Sequence, residues 1–418
     1  MDPQQTPRPL WTWDFTILTL GSVVSMVGNV LANFAMSLLV LDLTGSPMLY
    51  AVYIALYALP QMIVPVFSGA ILDRFSRKRT IYTLDFISAG LFALAMAALW
   101  GGWFNFQALV AFSVITGSID SMYSVAYQSF YPLLITEGNY SKAYSVASLL
   151  EMLTMVMVPV SAVVYNAGGI LPLFGVNAVS YFIAALMEMR IGAEEKYTQG
   201  RREVLKSEKN ALSRLLRDVK EGVEYLRGER GLAAVAVYFA FSAMVGGATS
   251  ALTLPWFKAT FANGEYYYIL VQGAAMAGRA IGSSYHYKRQ LPARWKYTVA
   301  LTVYIVLSVI DGIYLFLPIW VMAVLFLIYG MLGVTSFTIR ISATQSYVPD
   351  EKKGRFNGVF EMLSTTGMFA GTLLAGALGT VLPQRGVILA FSAVGLAAAL
   401  IFIGGRGRDV AAVYNRQQ

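Results

Sequence analysis

Twelve apolar runs of about 20 residues or more divide this chain, and nothing else in it limits the fold as strongly. They lie at about 14–41, 47–71, 80–100, 104–128, 142–166, 170–191, 231–257, 265–287, 297–317, 319–344, 355–381 and 386–405. A run of that length spans bilayer hydrocarbon only as a helix, because a helix pairs all its backbone polar groups internally. Composition agrees: 57% of the 418 residues are apolar and 13% are charged. A soluble domain carries about a quarter charged residues. The chain therefore reads as an all-α membrane protein with twelve transmembrane helices. Its first run, Phe15 to Leu41, is too long for the apolar core of a cleaved signal and follows a polar, proline-bearing start.

Charge placement orients these helices. Arg74, Arg77, Lys78 and Arg79 lie between runs two and three, and ten basic residues lie between runs six and seven. Lys288, Arg289, Arg294 and Lys296 follow run eight, and Lys352, Lys353 and Arg355 follow run ten. The opposite loops hold only Lys258 and Arg385. Basic loops stay in the cytoplasm, so both termini are expected there, in a multi-pass protein of the cell membrane. The same bias explains the net charge of +8 without nucleic acid. There is no cysteine and only one histidine, His286, so disulfides, thiolate sites and His-rich metal sites are excluded. No cofactor and no enzymatic activity are expected.

Internal similarity divides the chain in two. "MVGN" (Met26 to Asn29) recurs as "MVGG" (Met244 to Gly247), "QSFYP" (Gln128 to Pro132) as "QSYVP" (Gln345 to Pro349), and "EML" at Glu151 as "EML" at Glu361. The order and spacing of the matches predict two pseudo-symmetric six-helix bundles, residues 1–191 and 231–418, the second ending in a short tail. The linker at 192–230 carries an amphipathic helix, with Leu212, Leu215, Leu216, Val219, Val223 and Leu226 at helical spacing. Parallel repeats with a site between them describe a transporter that works by alternating access.

"GAILDRFSRKRT" (Gly69 to Thr80) resembles the signature loop of the major facilitator superfamily, Gly-x-Leu-x-Asp-Arg-x-Gly-Arg-Lys. Gly69, Asp73, Arg74, Arg77 and Lys78 match, while Ile71 and Ser76 depart. "GSVVSMVGN", "LTGSP", Asp85 after the loop, and "VPDEKKGRFNGVF" are similar to the drug/proton antiporter-3 branch. That branch includes macrolide and enterobactin-type siderophore exporters. The resemblance implies a monomeric secondary exporter in a lipid bilayer, driven by a proton gradient and acting on a small organic molecule. Its helix-5 Gly-Pro pair is altered here to Val158-Pro159. The second-half counterpart of the signature loop lacks the aspartate, so only Asp73, Arg74, Arg77 and Lys78 can form the gating lock.

An ionisable residue inside a span is a functional hypothesis. Glu151 falls about 15 Å into the fifth span and Glu361 repeats it in the eleventh. Both are candidates for coupling or substrate contact, and a cavity-shaping ion pair is the rival reading. Asp120 shares a stripe with Ser113, Thr116, Gly117 and Ser124, and Phe337 occupies its place in the second half, so it is a candidate for coupling or substrate contact with a structural role as the equal rival. Arg279 is expected to pair with Glu361 or Glu151, or else to bind an anionic substrate. Asp85 and Arg340 are expected in gating ion pairs. Asp311 is expected to be structural, and His286 to be interfacial. Asn29 and Asn33, with Ser22 and Ser25, form a polar stripe on the first span, and Tyr238 and Ser242 belong to another on the seventh. Tyr123 and Tyr127 offer aromatic surface. These residues are candidate cavity lining. The substrate expected is amphipathic and drug-like or siderophore-like; import, or transport of a lipid or anionic metabolite, is the alternative.

Overall fold

The computed structural model describes residues 9–72, 76–136, 139–193, 211–288 and 291–415. Among them all regular structure is helical. The first part of the chain forms α1 (Trp13–Thr44), α2 (Pro47–Leu72), α3 (Arg77–Trp100), α4 (Phe106–Phe130), α5 (Tyr140–Gly168) and α6 (Leu171–Glu188). The second forms α7 (Ala211–Gly228), α8 (Arg230–Thr260), α9 (Gly264–Lys288), α10 (Lys296–Ile313) and α11 (Ile319–Tyr347). It ends with α12 (Asp350–Leu378), α13 (Gln384–Ala398) and α14 (Gly407–Tyr414).

Among the described residues, eight helices meet the length and composition of a membrane span: α1, α3, α4, α6, α8, α10, α11 and α13. The sequence expectation was twelve.

Local chemistry starts several of these helices. Thr12 accepts the Phe15 N–H at 3.3 Å, Ser76 accepts that of Arg79 at 3.1 Å, and Asn105 accepts that of Ala108 at 2.9 Å. Each such cap stabilises a helix start by about 1 kcal/mol. Exposed tryptophans stand at helix ends: Trp13 opens α1, Trp100 closes α3 and Trp320 opens α11. That position suits amphipathic rings at the two faces of a bilayer.

The helices group into two compact units. Met1–Gly45 and Leu56–Lys209 make the first, and Ser46–Ala55 with Asn210–Gln418 make the second. The opening turns of α2 thus belong to the second unit, with Ala51 fully buried in its core. In the first unit, Phe92 of α3 packs edge-on against Phe112 of α4 and Phe174 of α6, with centroids 5.0 and 5.3 Å away. α3 and α6 are thereby pinned together. In the second unit, α8 and α12 approach closely through small residues. A side chain at Gly367 or Gly371 would run into the backbone carbonyl of Ala240 or Met244. Small residues serve this role in membranes because association there depends on close van der Waals contact.

The amphipathic helix expected in the linker is α7. Its C-terminal half does not merely lie on a surface. Leu226 is buried in the second unit's core, Val223 packs against it, and Lys352 of α12 sits 4.6 Å from the Tyr225 ring.

Candidate functional site

Asp120 is the hub of a polar network inside the first unit. It projects from α4 and is half-buried. Its Oδ2 accepts from the Tyr57 hydroxyl of α2 at 2.9 Å and from the Asn29 amide of α1 at 3.5 Å. Its Oδ1 accepts from the Tyr181 hydroxyl of α6 at 3.4 Å. Asn33 tightens the network by donating to Asn29 Oδ1 and to the Tyr57 oxygen, both at 3.1 Å. Four helices therefore converge on one carboxyl group through neutral donors. No basic side chain pairs with Asp120 among the described residues, so a change in its charge is not cancelled by a neighbouring cation.

Two glycines make this convergence possible. Gly28 precedes Asn29, and a side chain there would collide with Ser180 and Asn177 of α6. Gly117 lies one turn before Asp120, and a Cβ there would sit 2.5 Å from the Tyr57 carbonyl oxygen. The first brings α1 onto α6; the second brings α2 onto α4 and so delivers Tyr57 to the aspartate. Ser22 and Ser25, lower on the α1 stripe, are buried and return their hydroxyls to backbone carbonyls within α1.

A second polar group lies on the same helices. Asp85 of α3 is 1% exposed and Glu188, the last residue of α6, is 0% exposed. Their carboxyl groups lie within hydrogen-bonding reach of each other. Tyr123 of α4 donates to Glu188 Oε1 at 3.2 Å, and its ring stacks on Tyr127 with centroids 6.1 Å apart. Asp85 was expected in an ion pair; among the described residues it faces another acid instead. Glu188 went unnoticed in the sequence, although it lies seven residues, two helical turns, beyond Tyr181 on one face of α6.

The basic loop residues turn to backbone. Arg77 donates to the Ser129 carbonyl at 2.8 Å, and Lys78 donates to the Ile191 carbonyl just past the end of α6. Asp73 and Arg74 lie outside the described residues, and so does the side chain of Glu151.

The second unit is built differently. Arg340 of α11 holds its guanidinium over Phe360 at 4.6 Å, Phe239 at 5.2 Å and Phe337 at 5.4 Å. No carboxylate pairs with it among the described residues. Arg279 and Glu361 are both exposed and form no ion pair with each other; a pair of Arg279 with Glu151 lies outside what is described. Tyr238 is buried and stacks on Tyr304 at 4.4 Å, with Ser242 beside its hydroxyl. Tyr304 and Tyr414 share a buried hydrogen bond of 2.9 Å. Asp311 is buried and accepts from Tyr329 at 3.3 Å. His286 is half-buried and bonded to Thr335 at 2.8 Å.

An all-helical chain with several apolar spans and polar groups buried inside its units fits a membrane protein that handles solutes. The family is specific: the Major Facilitator Superfamily model matches residues 18–372, and the chain belongs to that family. It is 25% identical over 280 residues to YkuC of Bacillus subtilis (strain 168), an uncharacterised transporter of the superfamily, covering 65% of this chain and 64% of YkuC. It is 23% identical over 385 residues to the enterobactin exporter EntS of Citrobacter koseri, covering 88% and 86% of the two chains. The fold is similar to that of the peptide transporter POT, with a TM-score of 0.66 at 12% identity over 94% of each chain. It is also similar to that of the nucleoside transporter NupG, with a TM-score of 0.62 at 12% identity over 94% and 98%.

Proposed function

We propose that this chain is a proton-coupled exporter of an amphipathic organic molecule, working by alternating access between two six-helix bundles with both termini in the cytoplasm. The observation that carries the reading is Asp120, a carboxyl group held by Tyr57, Asn29 and Tyr181 from three other helices, with no cation paired to it among the described residues. An acid so placed binds and releases a proton at the cost of rearranging hydrogen bonds that tie four helices together. Protonation is thereby linked to helix packing, which is what an antiporter requires. The likeness to an enterobactin exporter favours outward movement of the solute.

Efflux from an efflux-deficient host, screened over drug-like and siderophore-like compounds, tests the reading. Wild type should lower accumulation of at least one compound, and Asp120→Asn should restore it to the level of cells without the protein. Full gradient-driven efflux by Asp120→Asn would end this assignment.

A second reading is favoured by one observation. Arg340 and Arg279 meet no carboxylate among the described residues, and an anionic solute would supply one. Transport of an anionic metabolite or lipid, including import, would appear as anion affinity that falls in Arg279→Ala and Arg340→Gln. Unchanged anion affinity in both variants would remove it.

A further inference from the structure

Asp85 and Glu188 are not absorbed by the Asp120 network. Both are almost fully removed from solvent. Among the described residues, neither Asp85 oxygen, nor Oε2 of Glu188, meets an N–H or O–H donor. Buried oxygens without donors are rare, and each demands an explanation. Here the partner is the opposite carboxyl group. Two carboxylates cannot hydrogen-bond each other, because both only accept. A carboxyl pair at this distance is satisfied when one proton lies between the two groups.

The surroundings supply no substitute for that proton. From α4, Tyr123 donates to Glu188 Oε1 and Tyr127 stacks behind it, with Asp120, another acid, one turn earlier on the same helix. From α1, Ser22 meets the tyrosine hydroxyls, and Gly21 lies directly on the glutamate. A Cβ at Gly21 would stand 3.3 Å from Glu188 Cγ and 3.4 Å from Oε1. From α6, Tyr181 donates to Asp120 instead. On α3, Lys78 donates to the Ile191 carbonyl and Arg77 to the Ser129 carbonyl. No ion pair reaches Asp85 or Glu188 among the described residues.

We propose that Asp85 and Glu188 form a proton-binding site of their own: a carboxyl pair that holds one exchangeable proton between α3 and α6. With the proton present, the two helices are joined through the pair, under the cover of Gly21 and Tyr123. Loss of the proton to water leaves two carboxylates side by side in a dry interior, where they repel strongly. The unprotonated state therefore requires α3 and α6 to part or water to enter between them. The proton and the packing of these helices are in this way linked. Its use in transport rests on the proton-coupled reading above; the existence of the site does not.

Infrared spectroscopy of the purified full-length protein in lipid nanodiscs tests the site. Spectra of protein labelled with carbon-13 at aspartate or at glutamate side chains would be compared between neutral and strongly alkaline pH. A protonated-carboxyl band at neutral pH should move with either label, since one proton serves both groups. The band should persist in Asp120→Asn and disappear in both Asp85→Asn and Glu188→Gln. A band moved by only one label in wild type, or one surviving either substitution, would overturn the pair. That wild-type labelling result stands even where a variant fails to fold. A band absent from wild type until sodium is removed would also overturn it, by showing a cation in place of the proton. Transport by Asp120→Asn is a separate readout, so loss of the coupling reading would leave the infrared result intact.

Discussion

Asp120 in the first unit and Phe337 in the second occupy matching places in the internal repeat, 217 residues apart. At the first, a carboxyl group gathers hydroxyls and an amide from three neighbouring helices. At the second, a phenyl ring lies beneath the guanidinium of Arg340, together with Phe239 and Phe360. The interior of the first unit is acidic and hydrogen-bonded: Asp120, Asp85 and Glu188. The described interior of the second is mostly aromatic, with tyrosine pairs, a guanidinium held on rings and one acid, Asp311, tied to Tyr329. On the proposed reading, repeated residues mark the scaffold and unrepeated ones such as Asp120 carry the chemistry. This explains why the duplicated Glu-Met-Leu element is a weaker guide than the single Asp120. Glu361, its second copy, is exposed on α12.

The contrast breaks most severely where the first unit's helices cross. Gly117→Leu should force α2 away from α4, because the backbone carbonyl of Tyr57 cannot yield as a flexible side chain would. Overpacking of this kind costs about 1–3 kcal/mol or more. A clearly lowered melting temperature in detergent and loss of transport are expected. An unchanged melting temperature would mean that α2 does not approach α4 as closely as described.

Tyr57→Phe comes next. It removes the shortest donor to Asp120 and an acceptor of Asn33 while keeping the ring. A hydrogen bond to a charged group contributes about 1.5–3 kcal/mol, so transport rates should fall by roughly tenfold or more. Tyr181→Phe, whose contact is 3.4 Å, should cost less. Equal effects would remove the ranking of donors. In the second unit, Arg340→Gln loses a partly buried cation–π contact of about 0.5–2 kcal/mol. Stability should drop slightly, with proton coupling retained. Lost coupling with normal solute affinity would shift the proton chemistry out of the first unit.

Much of this was legible in the sequence, for identifiable reasons. Apolar run length and alternating basic loops report directly on bilayer physics, so the helical membrane fold could be read from them. Asp120, Asn29 and Asn33 were recognisable because polar residues at helical spacing inside an apolar run have few tolerable environments. Tyr57 and Tyr181 were not, since a tyrosine in a span is ordinary until a partner is seen. Glu188 was missed because it closes its helix, where an acid normally reaches water. The packing of Gly21 and Tyr123 against it makes it an interior residue. The aromatic cradle of Arg340 was hidden for a related reason: Phe239 and Phe360 lie on other helices, and sequence spacing does not connect them to α11.

The central claim is that Asp120 carries the transported proton. Proteoliposomes with a pH-sensitive dye inside, loaded with a substrate found by the efflux screen, test it directly. Outward substrate movement through wild type should bring measurable proton flux in the opposite direction. Asp120→Asn should abolish that flux while still allowing substrate to exchange down its own gradient. Proton flux of wild-type size in Asp120→Asn would contradict the account.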